Sequence, residues 1–282
     1  MRSILATCAF AMLIAAAVPV WAREIAVTSD GDAGPGTLRA ALAEAASGDR
    51  IVVSLAGDER TIALAADLPV LAGTITLDFG DTPGHLTIAG GAWTLARGAG
   101  LIVALGPNRR ATLEAVIAGE AGDRGLTLSG GGLLVLARAA CYGGGTIVQA
   151  GTLRLEQAGS LPPAGPLALE SGVFELGAAD ARIGGLAGGG GAIALDGRTL
   201  TIDQDVDSVF AGTISGTGRL VKDGPGRLTL EAPQGWTGGT TIAGGVLELA
   251  SGGGAGLRLS GPIEVRGGAL VAPGVNIGSG KR

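Results

Sequence analysis

Cysteine, histidine, aromatic residues and charge are all scarce in this chain of 282 residues, and each scarcity removes a class of function. A single histidine, His85, excludes any zinc site built from several imidazoles. Of the two cysteines, Cys8 lies inside an N-terminal apolar run, so Cys141 is expected to be the lone thiol of the mature chain, without an internal disulfide. An exported chain of this size with no covalent staple must be held by its core, which is feasible at this length. Charged residues make up 16% and the net charge is −5. An acidic chain with scattered single Lys and Arg residues is a poor ligand for nucleic acid or anionic lipid. Long apolar runs are missing after the N-terminus. The one from Ile4 to Ala17 is shorter than the ~20 residues of a membrane span. With Met1 and Arg2 before it and Val20 and Ala22 after it, that run predicts an export leader, residues 1–22, cleaved before Arg23. No integral membrane segment is expected after cleavage, and the product is placed in the periplasm, at the cell surface or outside the cell.

What the chain has instead is glycine, 54 residues of it, with abundant Val, Leu and Ile. The glycines keep no three-residue period, which excludes collagen, and the aliphatic content excludes a disordered linker. Many short apolar strands with a turn between each pair remain. Near the start, Thr37 is placed as a helix N-cap, Leu38, Ala41, Leu42 and Ala45 fall at helical spacing, and Gly48 sits where a C-terminal cap belongs. Strands at Ile25–Thr28 and Ile51–Leu55 flank this helix. Past Thr61 no helical period lasts two turns. Alternating runs at Thr74–Asp78, Leu86–Ile88, Leu101–Ala104 and Leu126–Leu128 predict strands of four to six residues.

An internal duplication sets the architecture. Leu126–Leu155 aligns without a gap on Leu220–Leu249 at a constant offset of 94 residues. Gly130 pairs with Gly224, Leu134 with Leu228, Tyr142 with Trp236, Gly145 with Gly239, Thr146 with Thr240, and GTLRL with GVLEL. After a two-residue insertion the match extends to Gly165, Pro166, Leu167 and Gly172 against Gly261, Pro262, Ile263 and Gly268. Strand pairs recur every ~20 residues, one coil of a parallel β-helix, and about ten coils make a rod of roughly 50 Å. The predicted fold is all-β, a right-handed parallel β-helix with a short N-terminal capping helix. Its expected organisation is a leader at 1–22, a strand-helix-strand cap at 23–58, and the β-helix at 59–282 with matched units 126–176 and 220–271.

Gly218, Leu220, Lys222, Gly224, Gly226, Leu228, Leu230, Thr237, Gly238, Gly239, Thr240 and Leu247 resemble the autotransporter-associated β-strand repeat. Gly267–Gly278 is similar to the Pro-Gly turn that follows such repeats, and Gly34–Asp49 to the N-terminal cap of secreted β-helix proteins. The resemblance implies a passenger-type β-helix. The chain departs from the pattern where an Asn-Thr-Tyr run is usual, with Gln234, Gly235 and Trp236 in one copy and Ala140, Cys141 and Tyr142 in the other. It ends at Lys281 and Arg282 without outer-membrane barrel strands. The resemblance therefore leaves a stand-alone secreted relative, a partner-dependent exoprotein or a truncated remnant.

Chemistry-bearing residues are few. His85 and Cys141 lie too far apart in sequence to be presumed a nucleophilic pair; a turn histidine and a half-buried thiol are the plainer assignments. Asp203, Asp205 and Asp207 alternate, so a strand would present all three on one face for calcium, against the plainer role of a solvated outer face. A β-helix polysaccharide lyase or hydrolase would need carboxylates or Arg with aromatic platforms. Outside the leader the aromatics are Trp93, Trp236, Tyr142, Phe79, Phe174 and Phe210, and the repeat positions of Tyr142 and Trp236 favour packing. No catalytic residue and no cofactor is expected. The function expected from the resemblance is a non-catalytic, adhesin-like binding or scaffold module. Its partner would be an extracellular protein or glycan, with a purely structural extracellular protein as the other non-enzymatic class.

Overall fold

A computed structural model describes residues 22–80, 84–250 and 260–272. Most of the leader, Cys8 and the end of the Pro-Gly segment lie outside the described residues.

Strands pair in parallel with strands one coil away, which after the first pair, Glu24–Val27 with Arg50–Val53, are never their sequence neighbours, and the coils stack into three faces. The first face carries eight strands, from Glu24–Val27 and Arg50–Val53 to Pro166–Leu169 and Gly185–Ala187. A bridge between Gly188 and Phe210 hands it on to four more: Ser208–Phe210, Arg227–Leu230, Gly245–Leu249 and Gly268–Val271. The second face runs from Glu59–Ala63 to Gly235–Trp236. The third begins on the far halves of two long strands, Gly84–Leu95 and Arg109–Gly119, which turn a corner at a bulge between Ala89 and Ala92. It continues through Ala140–Cys141 and a five-stranded sheet from Ala181–Ile183 to Ile263–Val265. The expected all-β solenoid is thus the observed one.

Alternation does the folding. Along each strand every second side chain enters one continuous aliphatic core, as Leu220, Leu228, Leu230, Leu247 and Leu249 do, all fully buried. Coil length is not uniform. Glu24 lies beside Arg50, Arg50 beside Thr76 and Thr74 beside Gly100, 26 residues apart each time. From Gly125 onward the step falls to about 20, as between Leu126 and Thr146 or Leu220 and Thr240. The strands Gly84–Leu95 and Arg109–Gly119 are 12 and 11 residues long, against the expected four to six, because each covers two faces of a longer coil.

The first coil closes over the open end of the core. Thr37 accepts from the Ala40 amide, and Leu38, Ala41 and Leu42 of the helix Leu38–Glu44 are buried. The helix stops earlier than its expected glycine cap. Ala45 is already extended, and Gly48 instead serves a turn whose amide donates to the Thr74 carbonyl of the next coil, 2.7 Å away. That turn is fixed by Asp49, which accepts from the amides of Ala46 and Arg23, both at 2.9 Å. The Ala46 amide first, then the Arg23 amide, hold its carboxyl below the usual carboxylate range. A depressed folded-state pKa adds stability above the unfolded value and loses it as pH falls through the folded one. Asp49→Asn is therefore expected to loosen the first coil at neutral pH, and the difference from wild type to shrink below about pH 4. Hydrogen exchange of the Glu24–Val27 amides measures this; equal protection in both proteins at pH 7 refutes it.

The duplicated segments have the same local structure but occupy different faces. In the first copy, Leu126 and Thr146 lie on the first face and Leu134 and Leu153 on the second. In the second copy, Leu220 and Thr240 lie on the third face and Leu228 and Leu247 on the first. An offset of 94 residues is not a whole number of ~20-residue coils, so the second copy is displaced by one face. Local requirements are nonetheless shared. Gly145 and Gly239 both have positive φ, +83° and +98°, and a Cβ at either would meet a proline carbonyl of the adjoining coil, Pro166 or Pro262.

Candidate interaction surface

Outward side chains stack in rows at the inter-strand spacing, so each face displays columns of residues drawn from successive coils. On the second face one column reads Thr61, Thr87, Thr112, Val135, Arg154, Glu175, Ala194, of which Thr112 and Val135 are covered by their neighbours and buried. Arg154 Nε donates to Glu175 at 2.6 Å, tying neighbouring coils together. The adjacent column holds Glu59, His85 and Arg110. His85 Nε2 lies 2.8 Å from Thr112 Oγ1, and burial first, then Arg110, pulls its pKa below the usual imidazole value against the opposing pull of Glu59, Glu156 and Glu114. On the third face Arg182 reaches Asp203 of the next coil, at 2.5 Å, and Asp223 of the one beyond, at 3.7 Å.

His85 and Cys141 are not brought together. His85 pairs with Arg110 at one end of Arg109–Gly119, and Cys141, exposed, pairs with Ala118 at the other end, beyond the corner. Nor do the three aspartates share a strand. Thr199–Asp203 ends at Asp203, and Asp205 and Asp207 lie in the following turn. Asp203 is engaged by Arg182, and Asp207 accepts from the Arg227 amide at 2.8 Å. The turn interrupts the alternation because Gln204 points inward at the corner, accepting from the Leu186 amide and donating to Ser208 Oγ and the Arg227 carbonyl. Among the described residues no group of three or more His, Cys, Asp or Glu side chains is arranged to hold a metal ion.

Sequence spacing gave no hint of what those aspartates surround. Lys222 is fully buried between Ile202 and Ile242, and its ammonium donates to the carbonyls of Asp223 and Gly224. Burial lowers its pKa, while Asp223, Asp203, Asp205 and Asp207 act in the opposite sense. The aspartates thus compensate an inward lysine at a coil corner. Its alternating position in Arg219–Asp223, on the side of Leu220, is the signal that could have revealed it.

All six aromatic side chains of the described residues point inward: Trp93, Trp236, Tyr142, Phe79, Phe174 and Phe210 are at most 2% exposed. Two of them form the same bond at matching repeat positions. Tyr142 Oη lies 2.7 Å from Thr146 Oγ1, and Trp236 Nε1 donates to Thr240 Oγ1 at 3.0 Å. Clefts of about 390, 540 and 290 Å³ open on the outside among the described residues. The 540 Å³ cleft is bordered by Arg154, Glu156 and Asp196, the 290 Å³ cleft by Arg182, Asp203 and Asp205.

The two stretches that share this aromatic-threonine bond, 126–155 and 220–249, are the ones that match a family model. That model describes the passenger-associated-transport repeat, to which both stretches are similar. Both matched stretches lie in the second half of the rod, where the coil shortens to about 20 residues. Over 145 residues, 47% of its length, the chain is 41% identical to the adhesin BmaC autotransporter of Brucella suis biovar 1 (strain 1330). The match spans only 4% of that much longer relative. No solved structure matches the chain. No helix among the described residues is long and apolar enough to cross a membrane.

Proposed function

We propose that the chain is a non-catalytic, exported adhesin-like module whose outer faces contact an extracellular protein or glycan. The observation that carries this is the 41% identity to an autotransporter adhesin, joined to the passenger-type repeats. The geometry agrees with it. The core is filled by aliphatic and aromatic side chains, leaving the outer columns for recognition. A polysaccharide-cleaving alternative is disfavoured, because sugar platforms need exposed rings and the aromatic rings of the described residues are all buried. The charged groups of the two clefts are also engaged, Arg154 with Glu175 and Arg182 with Asp203.

The exposed Cys141 supplies a labelling point for the test. The purified chain, labelled there with a fluorophore, is expected to bind host cells or immobilised matrix proteins saturably. Absence of binding to all of them removes the adhesin-like function in favour of a structural one. Release of unsaturated or reducing ends from pectin, alginate or glycosaminoglycans establishes an enzyme instead. Cell fractionation assigns the compartment.

A further inference from the structure

The three faces differ in the columns at their centres. The second carries charge in mid-column, Arg154 beside Glu175, and the third has only three uncharged residues in a row, Thr201, Val221 and Thr241, between Arg182 and Glu264. The central column of the first face runs Thr76, Ile102, Thr127, Ile147, Ala168, Ala187, Val209, Thr229, without one charge over eight coils. Beside it Gly100, Gly125, Gly145, Pro166 and Gly185 keep the surface low. Charge begins at the two ends, with Arg50 before Thr76 and Glu248 after Thr229.

We infer that this face pairs two copies of the chain, rods antiparallel, about a two-fold axis lying between the Ile147 and Ala168 coils. The column is complementary to its own reverse. The axis sets Ile147 against the second copy's Ala168 and Thr127 against its Ala187, larger residues over smaller ones, and Ile102 against its Val209, an apolar contact of two branched side chains. Two steps further, past Thr76 against Thr229, Arg50 and Glu248 of the other copy, each already paired within its own chain with Asp78 and Arg227, come opposite one another at both ends. On the exposed flank the same operation places Gln149 against Glu170. Approach through the second face buries the Arg154 and Glu175 charges, and the third face offers an uncharged run of three residues against eight on the first. The area also suffices. Nine inter-strand steps of ~4.8 Å by a face ~15 Å wide bury roughly 650 Å² per copy and 1,300 Å² in all, within the range of stable interfaces. A closed, isologous pair is the commonest symmetric assembly.

Sedimentation of the full exported chain is expected to show a reversible dimer at concentrations of about 100 μM or below. Ile147→Lys, an outward substitution, is expected to weaken it at least about tenfold with an unchanged circular dichroism spectrum and unfolding midpoint. Val116→Lys, at an exposed site on the third face, should dimerise as wild type does. Register is tested in a Cys141→Ser background with a short bis-maleimide. The double variant I102C/V209C is expected to cross-link into dimers, and I102C alone to remain monomeric. A wild-type monomer throughout that range, an undiminished I147K dimer, or cross-linking of I102C alone overturns the pairing. None of these readouts depends on adhesion to a host surface.

Discussion

Gly188→Ala is expected to break the rod into two independently unfolding parts. Gly188 has φ +137°, and a Cβ there would lie 1.8 Å from the Leu169 carbonyl oxygen and 2.7 Å from its carbon. Neither is a movable side-chain end; both are backbone of the preceding coil. The residue also carries the hydrogen bonds that join the two sheets of the first face, donating to Val209 at 3.1 Å and accepting from the Ala211 amide at 2.9 Å. The strained backbone and the forced separation of coils together are expected to cost about 3 kcal/mol or more. Solenoid stability is a sum of coil and nearest-neighbour terms, so a broken interface uncouples the halves and a single denaturant transition becomes two. The control is one residue away. Nothing lies within 4 Å of a Cβ built on Gly189, so Gly189→Ala should unfold like wild type. Equal behaviour of the two variants in urea contradicts this account.

Trp236→Ala is expected to be the most damaging single truncation in the second repeat. The indole is 1% exposed, and removing a buried tryptophan costs about 3–5 kcal/mol through lost burial and the cavity left behind. Trp236→Phe separates packing from polarity. It keeps most of the apolar contact and strands the Thr240 hydroxyl, for about 1–2 kcal/mol. Tyr142→Phe removes the equivalent bond to Thr146 and should fall in that same smaller range. Urea midpoints of the three variants give the order. A Trp236→Ala protein no less stable than Trp236→Phe would show that the ring is not a core anchor.

The fold was legible where its coil is short. The ungapped match of 126–155 to 220–249 carried register, turn glycines and strand spacing together. The coils from Glu24 to Gly125 step by 25 or 26 residues rather than 20, and their strands Gly84–Leu95 and Arg109–Gly119 bend across two faces, so no template of four-to-six-residue strands could fit them. The helix was placed from its Thr37 cap, but its end was misassigned to Gly48 because the glycine answers the next coil, not the helix. Asp203, Asp205 and Asp207 were grouped by alternation alone. What they face, an inward lysine, depends on which way Lys222 points in a strand one coil away. The central column of the first face was equally hidden, since its members are separated by whole coils and only pairing register lines them up.

The displacement of the second repeat by one face bears on what the repeats are for. Equivalent outward residues, Arg154 in one copy and Glu248 in the other, look out from different sides of the rod and reach for coils in opposite directions. A flat receptor lying along one side therefore meets one copy at a time, and the duplication confers no avidity. What the two copies share is the glycine corners and the aromatic-threonine bonds, which are indifferent to direction. The repeats behave as masonry, and any specificity belongs to columns that no single repeat contains.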